Sequence, residues 1–450
     1  MWGLIRYGIR NLARSRRRSA LTALSTAIGA GGVVYTLGLI RSLLGFLMVA
    51  QVDLQHTGHL TVLPPEGASL ALIRPWDAHL DAAAQATIAT VLAGRADVVE
   101  TARVLQMSAL LSNGCDSAPA SFLGVEPDHL QHTYASAAGR QLAPELYDLG
   151  PGQGLWAAPP SPAPLMVARG LATLLGKPRV LADATAPPAT FLDCAAPDLA
   201  ATLAADASLQ IVGRTWDGRL SVADAVAVAQ TREGFTEFEN SRVLAPLADV
   251  QRWADTDAVS WVAVWLDHPD DAAAEAPRLQ AALVQAGVPT QVLAWGDPRI
   301  TPNYAALAPL MQVMGAFVTA ILLGVVALSL VGGVTLSLAE RARERGTLRA
   351  VGFQPRHLLP LVLAEACALA LLGAVPGALA GLGLGALTGW LGLPLHPPAV
   401  AGTLALRVVP GAGLVALTPI AVVAVCAGLT VLAARRPLGR PVTHLLHDLE

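Results

Sequence analysis

ALAPLMQVMGAFVTAILLGVVALSLVGGVTLSLA, residues 306–339, runs for 34 positions without a charged side chain and stops at Glu340. A helix needs roughly 20 apolar residues to cross a hydrocarbon layer about 30 Å thick. As a helix this stretch reaches about 50 Å, so it either tilts or projects beyond the layer as a stalk. Three more segments have the same character: 20–40, 358–395 (interrupted by Glu365) and 408–434. One such segment fits a soluble core helix, but four with basic residues at matching ends do not.

Composition agrees with that reading. Of 450 residues 54% are hydrophobic and only 14% charged, with mean hydropathy +0.51. A soluble domain carries about 25% charged residues, and a disordered chain pairs low hydrophobicity with high net charge. Both classes are excluded. The formal net charge of -3 conceals a segregation. Residues 52–305 hold 14 basic and 28 acidic side chains, and the rest of the chain 16 basic and 5 acidic ones. Most of those 16 fall in three clusters: Arg6, Arg10, Arg14, Arg16, Arg17 and Arg18; Arg341, Arg343, Arg345, Arg349 and Arg356; and Arg435, Arg436 and Arg440.

Basic clusters mark the cytoplasmic ends of membrane helices. Both termini and the 340–357 loop are therefore expected in the cytoplasm, and 52–304 outside. A cleaved signal peptide is the competing reading of the first segment. Its apolar run is too long for one, and no clear A-x-A site closes it, so an uncleaved helix is favoured. After Arg41 the chain stays apolar and helix-compatible to Val52. The expected fold is thus a membrane α-helical protein with four transmembrane helices and a large α/β (or α+β) extracytoplasmic domain between helices 1 and 2.

The predicted organisation runs as follows. Residues 1–18 form a cytoplasmic amphipathic helix, with a disordered basic tail as the alternative. Residues 19–51 are helix 1 and a stalk, 52–304 the external domain, and 305–339 a stalk and helix 2. A cytoplasmic loop, 340–357, precedes helix 3 at 358–395. An external loop at 396–407, helix 4 at 408–434 and a cytoplasmic tail at 435–450 complete the chain. Within the external domain, strands are expected at 59–63, 98–105, 120–125, 210–212 and 259–266. Helices are expected at 76–92, 167–175, 247–254 and 270–286, and a Gly- and Pro-rich loop at 150–164.

Catalytic signatures do not occur. Lys177, the one lysine, precedes Pro178 and lacks the glycine spacing of a phosphate-binding loop, so the chain supplies no P-loop ATP site of its own. There is no G-x-S-x-G elbow and no H-E-x-x-H pair. His56/His59 and His129/His132 have a three-residue spacing that suits two metal ligands, but no further acidic or Cys partner sits at a telling distance. They read as surface histidines. Cys115 and Cys194 are permitted to pair in an oxidising compartment, although spacing alone leaves that open. Cys367 and Cys426 read as apolar filler. Glu365 is a functional candidate because an ionisable residue in a membrane helix is costly. It lies about two and a half turns beyond Arg356, and its structural alternative is a carboxylate bonded to a neighbouring helix or paired with Arg349. Gly373, Gly377, Gly381, Gly383 and Gly385 are expected to let helices approach closely.

The segment Glu340-Arg341-Ala342-Arg343-Glu344-Arg345-Gly346-Thr347-Leu348-Arg349-Ala350-Val351-Gly352 resembles the ER-x-RE-x-G-x-LRA-x-G signature of the FtsX/MacB-like permease family. Glu365 with Gly373 and Gly377 is similar to that family's continuation into the third helix. Arg10-Asn11-Leu12, Arg17-Arg18 and Leu21-Thr22 resemble its N-terminal element. Gly124-Val125-Glu126-Pro127, residues 167–176 and Trp295 look like its external domain. Arg345 stands where the family usually has an aliphatic residue, and the C-terminal element survives only as residues 440–446.

The resemblance implies a non-catalytic subunit of a type VII ABC transporter in a bacterial inner membrane, with no cofactor of its own. ATP and Mg would be bound by a separate cytoplasmic ATPase dimer, and a second permease subunit completes a homo- or heterodimer. Glu340, Arg341, Arg343, Glu344, Gly346, Leu348, Arg349, Val351, Gly352 and Phe353 would contact the ATPase. Their charges can pair at i,i+3 while Leu348, Val351 and Phe353 offer apolar knobs. The branch best matched is the lipoprotein-releasing LolC/LolE-like one, which moves lipoprotein or other lipophilic cargo. A MacB-like efflux permease and an FtsX-like subunit activating a cell-wall hydrolase are the alternatives. The outer partner is correspondingly a periplasmic chaperone, adaptor or hydrolase. Membrane lipids are expected around the helices, and nucleic acid is not an expected partner.

Overall fold

The computed structural model describes residues 16–70, 76–149, 152–177, 192–340, 347, 355–395, 400–401, 404–405 and 407–439. It divides into two compact units. One comprises Met1–Leu44, Ala308–Leu393 and Ala405–Glu450, and the other Gly45–Leu307 and Pro394–Leu404.

Among the described residues four helices are long and apolar enough to cross a membrane: α1 (Arg16–Val52), α7 (Pro302–Glu340), α8 (Pro355–Leu391) and α9 (Ala412–Gly439). α1 carries on past Arg41 without a break, as the apolar run 42–52 predicts. Its final turns, from Gly45, belong to the second unit. Residues 302–307 of α7 do likewise.

Within the first unit α1 and α8 meet backbone to backbone. A methyl group built on Gly31 falls 2.7 Å from the Gly377 carbonyl, and one on Gly373 falls 2.6 Å from Thr26 Cβ. One on Gly381 lies 3.1 Å from Gly31 Cα. Gly373, Gly377 and Gly381 are four residues apart, so they form one stripe of α8. α7 also packs on α1: Ser25 Oγ and Ser329 Oγ are 2.5 Å apart, and Gly333 faces Thr22. Elsewhere α7 is widely exposed, with Leu328 77% and Phe317 67% accessible. Such a surface needs an apolar surrounding.

The second unit is α/β. The strands of its main sheet are β1 (Leu60–Leu63), β2 (Val98–Ser112), β3 (Ser117–Val125), β4 (Ala163–Ala168), β5 (Ser208–Arg214), β6 (Leu220–Thr231), β7 (Arg242–Pro246), β8 (Trp261–Leu266) and β9 (Gln291–Ala294). They follow the order β3-β7-β4-β6-β5-β2-β8-β1-β9, and β3 also pairs β2. Six strands therefore close on themselves. The long β2 serves both halves. Its end, Leu105 to Ser112, lies in the ring against β3, and its start, Val98 to Val104, pairs β8 in the open part.

Helices cover these strands for recognisable reasons. α2 (Ala82–Ala93) starts where Asp81 accepts a hydrogen bond from Ala84 N–H at 2.7 Å. α5 (Leu247–Ala254) buries Leu247, Val250, Trp253 and Ala254 on one face. α6 (Ala272–Gln285) buries Ala272, Ala276, Leu279 and Leu283 at helical spacing. Shorter helices α3 (Pro127–Ala135) and α4 (Arg169–Leu174) follow β3 and β4. Phe122, Leu165, Leu105 and Leu111 are among the side chains fully enclosed in the core.

Some expectations need correction. The helix expected from Trp76 begins only at Ala82, because Asp81 caps it. The helix expected at 167–175 is shortened by its first residues, since Val167 and Ala168 complete β4, which begins inside the expected 150–164 loop. Lys177 is buried, its ammonium donating to Asp206 O at 2.6 Å. The pairing that the sequence left open for Cys115 and Cys194 is made: they form a disulfide with Cα atoms 5.6 Å apart.

Replacing Gly377 by Leu forces a side chain into the backbone of Ala27, whose Cα is 2.6 Å from the Cβ position. The same change at Gly383 meets nothing within 4 Å. Gly377→Leu should lower stability in detergent by about 1–3 kcal/mol or more, whereas Gly383→Leu should leave the melting profile near that of the parent; fluorescence-detected thermal unfolding of both variants checks this.

Candidate functional site

The segment with the most informative sequence lies between α7 and α8. Glu340 is the last residue of α7, and Thr347 is helical. Arg341, Arg343, Glu344, Gly346, Leu348, Arg349, Val351, Gly352 and Phe353 lie outside the described residues, as do residues 1–15 of the N-terminal element and 440–450 of the tail.

Glu365 sits on α8, and its Oε1 accepts a hydrogen bond from Ser337 Oγ of α7 at 3.3 Å. The two line a small cleft with Ser19, Thr22, Gly333 and Val362. This corresponds to the structural alternative for Glu365, a carboxylate bonded across to a neighbouring helix. Arg349, its other candidate partner, lies outside the described residues.

The histidines differ from expectation. His56, His59 and His129 are buried, and only His132, with 70% of its side chain accessible, is at the surface. The pairing also differs. His56 Nδ1 lies 3.2 Å from His129 Nε2, across 73 positions of sequence. His129 Nδ1 is 2.7 Å from Glu100 Oε1. His129 thus stands between His56 on its Nε2 side and Glu100 on its Nδ1 side. Among the described residues no group of three or more His, Cys, Asp or Glu side chains is placed to hold a metal ion.

This cluster is built where α1 ends. Residues 53–58 form a tight turn in which His56 (φ 52°) and Gly58 (φ 68°) take left-handed conformations. The turn places Asp53 under Trp265 Nε1, which donates to Oδ1 at 3.1 Å, and Tyr147 Oη, which donates to Oδ2 at 3.3 Å. Trp261 Nε1 donates to the His56 carbonyl at 2.8 Å. Gln55 donates to Glu233 Oε2 at 3.3 Å and accepts from Arg242. The end of α1 is thereby stitched to α3, β7, β8 and the segment just after β6, and through His129 to β2, within one unit.

Burial sets the charges of this junction. It raises Asp53 above the usual carboxylate range despite the two donors. It drives His56 well below its ordinary 6.5, reinforced by His129 and Arg242. Burial also opposes ionisation of Glu100, but the hydrogen bond and charge of His129 outweigh it and hold Glu100 low. Glu233 is pushed up to about 7 by burial, against the pull of Arg242. Sequence reasoning missed this network because its members lie far apart in the chain. The one local sign was the run Asp53-Leu54-Gln55-His56 directly after an apolar helix.

A histidine held neutral in the fold takes up fewer protons than in the unfolded chain, so its contribution is lost as pH falls below about 6.5. Glu233 acts with the opposite sign: the fold keeps its proton up to about 7, and the benefit is lost as pH rises. His56→Asn keeps a residue tolerant of positive φ and leaves the Glu233 effect in place. The variant should lose a few °C less of Tm between pH 7.5 and 5.5 than the parent, about 1 kcal/mol for a unit of this size; thermal melts of the full chain in detergent at both pH values read it.

No curated protein matches the chain. Residues 316–442 match the family model described as FtsX-like permease C-terminal. That region takes in most of α7, the motif at 340–352, Glu365, the glycine stripe of α8, and α9. Over residues 316–442, therefore, the chain is similar to the C-terminal domain of FtsX-like permeases.

Proposed function

We propose that the protein is the permease subunit of an ABC transporter that works by mechanotransmission. A separate cytoplasmic ATPase dimer hydrolyses ATP, and the permease converts its closure into movement of the α/β unit outside the membrane. The observation that carries this reading is the continuity of α1 and α7. Each is one unbroken helix with part in the helical unit and part in the α/β unit. A helix transmits displacement along its axis because every turn is hydrogen-bonded to the next.

Other features support the finer parts. The Arg clusters at the N-terminus, at 341–356 and at 435–440 favour cytoplasmic ends. The Cys115–Cys194 disulfide suits an oxidising compartment for the α/β unit. The exposed face of α7 suits lipid or a second permease subunit. Cargo of the lipoprotein or lipophilic kind, released from the outer leaflet, is the reading we favour for the resemblance at 340–352 and around Trp295. An inner-membrane location in a bacterium belongs to the same proposal.

The coupling residues are Glu340, Arg341, Arg343, Glu344, Gly346, Leu348, Arg349, Val351, Gly352 and Phe353. Gly346→Trp and Leu348→Asp should each abolish co-purification of the ATPase, or reduce its stimulation at least tenfold, with membrane insertion unchanged. Undiminished co-purification together with undiminished stimulation in both variants would refute the coupling role.

A further inference from the structure

The chain just after β6 is gripped from two directions. Glu233 accepts from Thr231 Oγ1 at 2.6 Å and from Gln55, which lies in the turn after α1. Its N–H donates to Glu239 Oε2 at 2.8 Å. Gly234 has φ +78° and packs on α1 itself: a methyl group there lies 3.4 Å from Ala50 and 3.5 Å from Phe46. Any other residue at 234 is strained by that positive φ.

The other grip comes from the connection between α8 and α9. Ala401 N–H donates to the Gly234 carbonyl at 3.1 Å. Beside it, Phe235 forms an antiparallel β-bridge with Val400. Phe235 is only 2% exposed, so the bridge is seated on a fixed residue. All these residues lie in the same unit, to which Pro394–Leu404 belongs although the helices on either side of it do not. Three consecutive residues, Glu233, Gly234 and Phe235, thus receive the end of α1 on one side and the α8–α9 connection on the other.

We propose that Glu233–Phe235 is the point at which displacement of α8 and α9 enters the α/β unit, in step with α1, and that the Ala401 N–H to Gly234 carbonyl bond is the link that carries it. A backbone bridge suits this task, because it is short, directional and independent of side-chain rotamers. A loose loop would absorb the motion of α8 and α9, leaving α1 and α7 alone to drive the domain. The inference rests on the mechanotransmission reading above.

Ala401→Pro removes the donor, while proline keeps Val400 in the extended conformation the bridge needs. Ala401→Gly retains the donor and serves as the control. Hydrogen exchange is followed on the full chain bound to its ATPase, with and without ATP. In the parent and in Ala401→Gly, the amides of 231–240 and of Ala401 should change protection with ATP. In Ala401→Pro, exchange across 233–236 should quicken roughly tenfold, the size of one lost hydrogen bond, and the ATP-dependent difference there should vanish while ATP hydrolysis persists. Should Ala401→Pro not fold, the parent decides alone: an Ala401 amide that exchanges freely, or identically in both states, overturns the proposal. An ATP-dependent difference at the end of α1 but none at 231–240 also overturns it and leaves mechanotransmission standing. No ATP-dependent difference anywhere in the α/β unit defeats both.

Discussion

Inside a bilayer no hydrophobic gain draws one helix to another, because lipid is as apolar as leucine. What holds α1 to α8 is closeness. Gly373, Gly377 and Gly381 bring the backbone of α8 onto Ala23, Ala27 and Gly31 of α1, where a single methyl group has no room. Dispersion falls off steeply with distance, so contact of this kind is gained or lost as a whole. The polar pairs, Ser25 with Ser329 and Ser337 with Glu365, add direction to an assembly that small residues have already made possible.

The same helix carries that constraint into the α/β unit. α1 does not end at a flexible joint. It runs into a turn whose Gln55 and His56 are enclosed and whose Asp53 is half-buried, and all three are bonded to other elements. Such a junction is costly to assemble, since it buries the Glu233 carboxyl group, the Arg242 guanidinium and the imidazoles of His56 and His129. The cost is offset by hydrogen bonds that each bring in a different strand or helix. A simple apolar socket would bind the helix without fixing its rotation, whereas this arrangement is specific to one orientation.

Much of this was legible in sequence where a local pattern sufficed. Uncharged runs gave the four long helices, and the apolar continuation to Val52 gave the length of α1. Leu247 to Ala254 was readable because its buried residues recur at helical spacing. β6, rich in alanine, was not. Ala223, Ala225, Ala227 and Ala229 have little strand propensity, and the strand exists because β4 and β5 pair with it on either side. The site divided in the same way. The motif at 340–352 is contiguous and could be read. The His56–His129–Glu100 relay is formed by residues that only the closed ring of strands brings together. Histidine spacing within the chain pointed to the wrong partners for that reason.

Lys177 has a practical corollary. It is the one lysine in the sequence, and its ammonium lies enclosed against the carbonyls of Leu203 and Asp206. Acylating reagents therefore find no accessible lysine on the folded α/β unit. A tag acquired at position 177 would count openings of the segment that follows α4, turning an amino acid conspicuous for its rarity into a single-site clock for local unfolding.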